Sequence, residues 1–404
     1  MEDWVNMGND KKLKILMIND SYREIGGVGR YIKIISEKLK ERGHEIYLFA
    51  LSDNNLETKN IKLFKYKYKD SLQRFISENL INFKLYMELR SYIKKINPDV
   101  IHFNNIGKSK KSFLFASRGF KKIHILHDFS STNPYHDIII TNKNLIPILP
   151  IKYKNLRYYK SKNKDLIGLF FDFYLFNNPL IEKLFINKFI SSSREMILKL
   201  RSSYKVRIEH LFYPIEKFNK NPRFNFNNIL FIGRLVEQKG VSYLLEAFKI
   251  ARNKNKKLRL IIIGYGDDFD IINKYAKYLK IDKYVKFTGN IDYNLLDKYY
   301  NNSFVLLIPS IWEETSPLVA YKAMANAKPI IAFNVGAIPD ILKDGYNGFL
   351  VKKYDISGLA ESILFLSKNE KVAKRLGMNG FKLAENKFDI NYYTNSLIEI
   401  YKSL

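Results

Sequence analysis

Short apolar runs alternating with amphipathic helical patterns constrain this chain more than any other feature. In the second half the runs are ILFIG (229–233), LRLIIIG (258–264), YVKFTG (284–289), FVLLIP (304–309) and KPIIAF (328–333). The first half carries LKILMI (13–18), EIYLFA (45–50), DVIHF (99–103) and KIHIL (122–126). Strands spaced by helix-length segments imply βα units around parallel sheets. Between two of them, RYIKIISEKLKERG (30–43) places Tyr31, Ile34, Ile35 and Leu39 on one helical face and stops at Gly43. The polar, Asn-rich NKNPRFNFNN (219–228) separates the two series and reads as an interdomain linker. The expected organisation is therefore a first α/β domain over 1–218, a linker over 219–228 and a second α/β domain over 229–385. A terminal helix over 386–404 is expected to pack back on the first domain.

With 404 residues the chain can bury two cores, and a hydrophobic content of 46% excludes a disordered chain. It has no cysteine, which removes disulfides, thiolate metal sites and thiol nucleophiles. The first residues, MEDWVNMGNDKK, carry acids and no apolar core, unlike a signal peptide. The run LIGLFFDFYLF (166–176) is too short to cross a bilayer and contains Asp172. A soluble cytoplasmic protein is expected. The net charge of +28 comes from a lysine-rich composition throughout, and it also favours anionic partners, including the inner face of a membrane. The basic residues are dispersed and form no recognition motif, so nucleic acid is not an expected partner.

In parallel α/β domains ligands bind beyond the carboxyl ends of strands, so the chemistry is sought there. Gly26 and Gly27 follow the first strand and precede a helix, where backbone N–H groups can approach a phosphate; an ordinary glycine turn is the alternative. Gly233-Arg234 ends a strand and Lys239 precedes the next helix. A guanidinium fork and an ammonium suit a diphosphate, while solvated loop cations are the alternative. The pattern IIIGYGDD (261–268) lacks the spacing of a dinucleotide fingerprint and reads as a tight turn. His124 and His127, three apart on an extended run, face opposite sides and are not expected to share a metal. At its strand end His127 can face the cleft as a hydrogen-bond or acid/base group, or serve the structure alone. His102 is expected to be structural. In EETSPLVAYKAM (313–324), Ser316 and Pro317 read as N-cap and first residue of a helix running to about Asn326, with Glu314 poised just before it. Ala320, Ala323, Ala325 and Ala327 keep that helix slim.

With these residues in place the chain resembles the family four glycosyltransferases. The resemblance runs through GGVGRYIKIISEKLKERGHEI, NPDVIHF, LHDF, ILFIGRLVEQKG, VKFTGNI and PSIWEETSPLVAYKAMANAKPIIAFNVGAIPDILKDGYNGFLV. FYPIEKF (212–218) stands where the family has an Asn-Gly-Ile-Asp-like turn, a loose match. The resemblance implies a GT-B fold, two Rossmann-like α/β domains with parallel sheets facing a central cleft. It implies retaining transfer from a nucleoside-diphosphate sugar, with no cofactor and no bound metal, to a glycan or lipid-linked acceptor. By position, Gly26 and Gly27 would meet the donor's phosphates or sugar, and Arg234 and Lys239 would neutralise the leaving diphosphate. His127 would touch the donor sugar, Gly233 would be among the donor-binding residues, and Gly289 with its neighbours would line the base pocket. Glu314 would bind sugar hydroxyls, and backbone N–H groups near Ser316, Pro317 and Leu318 would complete the phosphate cradle.

Lys322 departs from the family. It stands where the second carboxylate of the family's glutamate pair would grip the ribose, and an ammonium can only donate. Four residues after Leu318, it is expected on the donor side of the helix. The long 128–190 stretch, rich in Lys, Tyr and Phe, reads as an insertion suited to an acceptor or membrane interface, or as a basic surface over buried aromatics. The leading expectation is a glycosyltransferase of cell-surface polysaccharide or glycoconjugate synthesis. A non-catalytic GT-B subunit binding a partner or glycan is the alternative, with Lys322 as its strongest support.

Overall fold

The computed structural model describes residues 11–20, 27–51, 60–64, 81–107, 109–127, 179–204 and 206–404. The first sheet comprises β1 (Lys14–Asn19), β2 (Glu45–Leu51), β3 (Ile61–Phe64), β4 (Val100–Phe103), β5 (Lys122–Leu126), β6 (Lys188–Ser191) and β7 (Ile208–His210). Its spatial order is β3-β2-β1-β4-β5-β6-β7, all parallel. Helices α1 (Gly27–Glu41), α2 (Phe83–Ile96), α3 (Lys110–Ala116), α4 (Pro179–Phe185) and α5 (Arg194–Tyr204) connect these strands. The helical face expected for α1 is buried at Tyr31, Ile34, Ile35 and Leu39, and Gly43 leaves the helix at φ +84°.

The second sheet repeats the arrangement with β8 (Asn228–Ile232), β9 (Arg259–Ile263), β10 (Val285–Phe287), β11 (Val305–Ile308), β12 (Ile330–Phe333) and β13 (Gly348–Val351). Its order is β10-β9-β8-β11-β12-β13, again parallel. Its connections are α6 (Val241–Lys254), α7 (Phe269–Tyr278), α8 (Leu296–Asn301), α9 (Leu318–Ala325) and α10 (Ile338–Ile341), and α11 (Ile356–Lys368) follows the last strand. Each sheet reverses winding once, between β1 and β4 and between β8 and β11. Ligand crevices form at such switch points.

The chain passes between domains twice at one place. The Ile215 N–H donates to Phe388 O, and the Ile390 N–H donates to Ile215 O. After α12 (Glu370–Lys387), α13 (Ile390–Lys402) packs on the first domain, burying Tyr393, Leu397, Ile398 and Tyr401 against α1 and β1. Tyr393 bonds Tyr31 through their hydroxyls at 2.8 Å, and Tyr401 bonds His102 Nδ1 at 2.6 Å. His102 is thus structural. Burial, and lesser repulsion from His127 and His124, press its pKa down to about 3, so it stays neutral.

Three expected boundaries differ. The terminal helix begins after Asp389 rather than at 386, because the Asp389 carboxylate caps α13 by accepting from the N–H groups of Asn391 and Tyr392. The 219–228 stretch is part of the second domain's packing: Phe224 and Phe226 stack on each other, and Phe226 stacks on the buried Phe304. The insertion expected over 128–190 ends earlier, since α4 and β6 belong to the regular βα succession. Ile190, fully buried in β6, pairs with Ile125 of β5. The apolar run 166–176 and the rest of 128–178 lie outside the described residues. Among the described residues no helix is long and apolar enough to cross a membrane.

Candidate active site in the interdomain cleft

The site is assembled from loops that leave strand ends. After β8, Gly233 and Arg234 lead into a single 3₁₀ turn, Glu237–Lys239, before α6. Gly240 closes that turn at φ +66°, and a Cβ there would stand 1.9 Å from Pro309 O. Only glycine lets the loop after β8 lie this close to the loop after β11. Ser310 Oγ and the Ile311 N–H both donate to Gln238 O, locking the two loops together.

The consequence is the central contact: Lys239 Nζ lies 2.5 Å from Glu314 Oε1. Glu314 is buried to 9% exposure, so its charge needs the nearby ammonium. Its backbone is clamped from the other side, with the Ala337 N–H donating to Glu314 O at 2.6 Å. Gly336 lies so near that a Cβ would come within 2.4 Å of the Glu314 backbone.

The first domain reaches the same place. Thr315 Oγ1 donates to His127 O at 2.7 Å, and Ser192 Oγ donates to Thr315 O at 3.2 Å. Glu313 pairs with Lys199 of α5 at 2.8 Å. A Cβ on Gly27 would meet the Leu318 side chain at 2.8 Å, so the first turns of α1 and α9 adjoin across the cleft. Two helix N-termini side by side offer unsatisfied N–H groups and partial positive charge to an anion.

His127 is half-buried, with Nε2 3.2 Å from Asn104 Oδ1 and its ring 5.0 Å edge-on to Tyr31. Behind it, the buried His124 bonds Asn104 O through Nε2 at 2.8 Å. His124 Nδ1 lies 3.4 Å from Glu182, which also pairs with Lys110. Burial opposes ionisation of Glu182, but the Lys110 ammonium and the His124 ring outweigh it and hold the carboxyl down to about 2.

Of the residues expected in the site, Glu314, Lys239, His127, Gly27, Pro317 and Leu318 converge on this cleft. Arg234 lies exposed in the loop between Gly233 and the Lys239 turn and makes no ion pair among the described residues. Gly289, at φ +69°, lies two residues beyond β10, and its carbonyl accepts from the Gly264 N–H. Gly264 and Gly266 form the expected tight turn, packed on the backbones of Gly233 and Leu235. Gly26 lies outside the described residues. Ser316 is a correction: it does not cap α9. Pro317 holds the cap position with extended backbone (φ −71°, ψ 90°), and the Ser316 hydroxyl is buried instead. The helix starts at Leu318 because the ψ of Pro317 is not helical.

Lys322 lies on the same side of α9 as Leu318, and both border one crevice between the domains. Its ammonium is not free: Nζ stands 2.7 Å from Asp297 Oδ1 and 4.8 Å above the Tyr293 ring. Arg30 of α1 also lies over the Tyr293 ring, at 3.5 Å, and Arg30 pairs with Glu216. Asp297, Tyr293 and Ser192 escape a sequence reading because no local motif marks them; only the fold brings them to the cleft.

The sequence model described as Glycosyltransferase Family 4 matches residues 25–162, and that described as Glycosyl transferases group 1 matches residues 214–383. The chain belongs to this family of glycosyltransferases, and its two facing parallel-sheet domains are the GT-B fold. An uncharacterized glycosyltransferase of Methanocaldococcus jannaschii is 23% identical over 407 residues, covering 98% of each chain. CapM of Staphylococcus aureus, a capsular polysaccharide biosynthesis glycosyltransferase, is 30% identical over 194 residues, 46% of this chain and 49% of CapM. Among solved structures, HepE of Anabaena in complex with UDP and glucose superposes with a TM-score of 0.72. It is 16% identical, over 97% of this chain and all of HepE.

The acid group behind His127 carries a stability prediction. A carboxyl lowered from 4.5 to about 2 favours the folded state above pH 4.5, and that contribution is lost as pH falls toward 2. Urea unfolding followed by circular dichroism should show wild-type stability declining across this window. Glu182→Gln should be less stable at pH 7 and decline less steeply; an unchanged acid profile would contradict the assignment.

Proposed function

We propose that the protein transfers a sugar from a nucleoside-diphosphate sugar to a glycan or lipid-linked acceptor in cell-surface polysaccharide or glycoconjugate synthesis. The transfer retains anomeric configuration and uses no resident metal. The observation that carries this reading is the Lys239–Glu314 pair at 2.5 Å, set where the first turns of α1 and α9 adjoin. As the bond between anomeric carbon and phosphate oxygen breaks, negative charge grows on the departing diphosphate. Lys239 and the N–H groups opening α9 are positive groups held in place for that charge before reaction, and the exposed Arg234 in the loop after β8 adds a guanidinium that can turn toward the diphosphate. Glu314, held by Lys239 and by the Ala337 N–H, is oriented to accept from hydroxyls of the transferred sugar. His127 closes the same space from the first domain. The UDP and glucose bound by HepE, and the capsular role in the name of CapM, support this class of substrate.

Lys239→Ala should lower turnover of the best nucleotide-sugar by ~100- to 1000-fold, or ~3–4 kcal/mol of transition-state stabilisation. Unchanged turnover in a steady-state assay would remove Lys239 from the mechanism.

Acceptor recognition falls to the first domain in this reading, at the inner face of a membrane. The charge of +28 supports an anionic surface as partner. Flotation with anionic liposomes at low salt should carry the protein upward and release it at high salt; a wholly unbound protein at low salt contradicts membrane contact.

A further inference from the structure

The departure at Lys322 opens onto a second feature of the cleft. Between α1, the 213–217 crossover and α8 lies a cavity of about 390 Å³, bordered by Lys322 and Asp297 on one side and by Arg30, Lys33 and Lys217 on the other. Resting on the donor reading above, we propose that Asp297 is a specificity-determining residue of that site. Its Oδ2 accepts a ribose hydroxyl of the nucleotide, and Lys322 is the positioning residue that holds the carboxylate for it.

The geometry of the carboxylate carries the argument. The Lys322 side chain is only 9% exposed, and a buried ammonium requires a counter-charge. It takes Asp297 Oδ1 at 2.7 Å. Asn326, one turn further along α9, donates its Nδ2 to the same oxygen at 2.9 Å. Two donors on Oδ1 fix the plane of the carboxylate. Oδ2 has no partner among the described residues, and Asp297 is one-third exposed where it borders the cavity. A pinned carboxylate with one unused oxygen is a preorganised acceptor, which calls for a ligand that presents hydroxyl donors.

The position along α9 says which part of the ligand. Leu318 opens the helix where an anion is favoured, and Lys322 is four residues on, a rise of about 6 Å. A phosphate at the helix start therefore places the sugar esterified to it beside Lys322 and Asp297. The opposite side mixes charges: Glu37 and Glu216 line it as well, Arg30 is paired with Glu216, and Lys33 and Lys217 make no ion pair among the described residues, which leaves two ammonium groups for the same anionic ligand. A glutamate at 322 would face Asp297 as a like charge. The lysine instead neutralises Asp297 and aims it, so the carboxylate comes from α8 rather than α9.

The test is calorimetric titration of the full-length protein with UDP, GDP and ADP and with their 2′,3′-dideoxy forms. Wild type should bind its best ribonucleotide ~10- to 100-fold more tightly than the dideoxy form, the range for hydrogen bonds to a charged group. Asp297→Ala should bring the two to equal affinity without weakening the dideoxy form. Because Asp297→Ala leaves a buried ammonium alone, the double variant Lys322→Met with Asp297→Ala is measured beside it and should behave alike. Lys322→Met alone should lose part of the discrimination. Discrimination that survives in the Asp297 variants overturns this inference. So does a wild type that binds nucleotides without regard to the hydroxyls, and that result leaves the donor reading standing. A wild type that binds none of the nucleotides overturns the donor reading itself.

Discussion

A parallel sheet sends every strand end to one edge, and this chain sets two such edges against each other. The rest of the site depends on that constraint. The residues after β1, β5 and β6 meet those after β8 and β11 because no other edge carries loops that leave the carboxyl ends of strands. Thr315 on His127 and Leu318 against Gly27 are two of the direct contacts, and both join residues that follow strands of different domains. The close backbone approach at Gly240 brings Lys239 to Glu314; with a side chain at 240 the two loops would separate and the pair would open.

Charge is handled in the same way at three places around the cleft. Glu314, Lys322 and Glu182 are each buried, and each is paired: with Lys239, with Asp297, and with Lys110 and His124. Buried pairs add little net stability over apolar replacements, but they hold a charged group in one orientation. In the proposed reaction that fixity is useful, because charge developing on a leaving group would be met without reorganisation. The pair at Lys322 also changes how its departure from the family pattern reads. The carboxylate missing from α9 has a counterpart on α8, so the substitution does not empty this part of the cleft of acceptors.

Much of the fold was legible because parallel strands buried on both faces leave continuous apolar runs, and the runs ending at Gly233 and Pro309 mark strands almost to the residue. Glu314 and Lys239 were legible because each follows a strand at short range. Asp297 was not: it lies 25 residues before its partner, inside an ordinary amphipathic stretch, and only packing of α8 on α9 joins them. Ser316 misled because Ser-Pro has the composition of a helix start, whereas the backbone of Pro317 delays the helix by one residue. The 128–190 boundary misled because α4 and β6 are short and follow a long irregular sequence, so the return of the alternation at Ile190 was hidden.

The central claim is that this cleft holds a nucleoside-diphosphate sugar, and a thermal-shift panel tests it most directly. Purified protein is heated with UDP, GDP and ADP and with nucleotide-sugars of each. Ligand that binds only the folded state raises Tm in proportion to RT ln(1 + [L]/Kd), about 2.7 kcal/mol of added stability at a hundredfold excess over Kd. One nucleotide series, as diphosphate and as sugar donor, should raise Tm while the others leave it unchanged. No shift with any of them would contradict it.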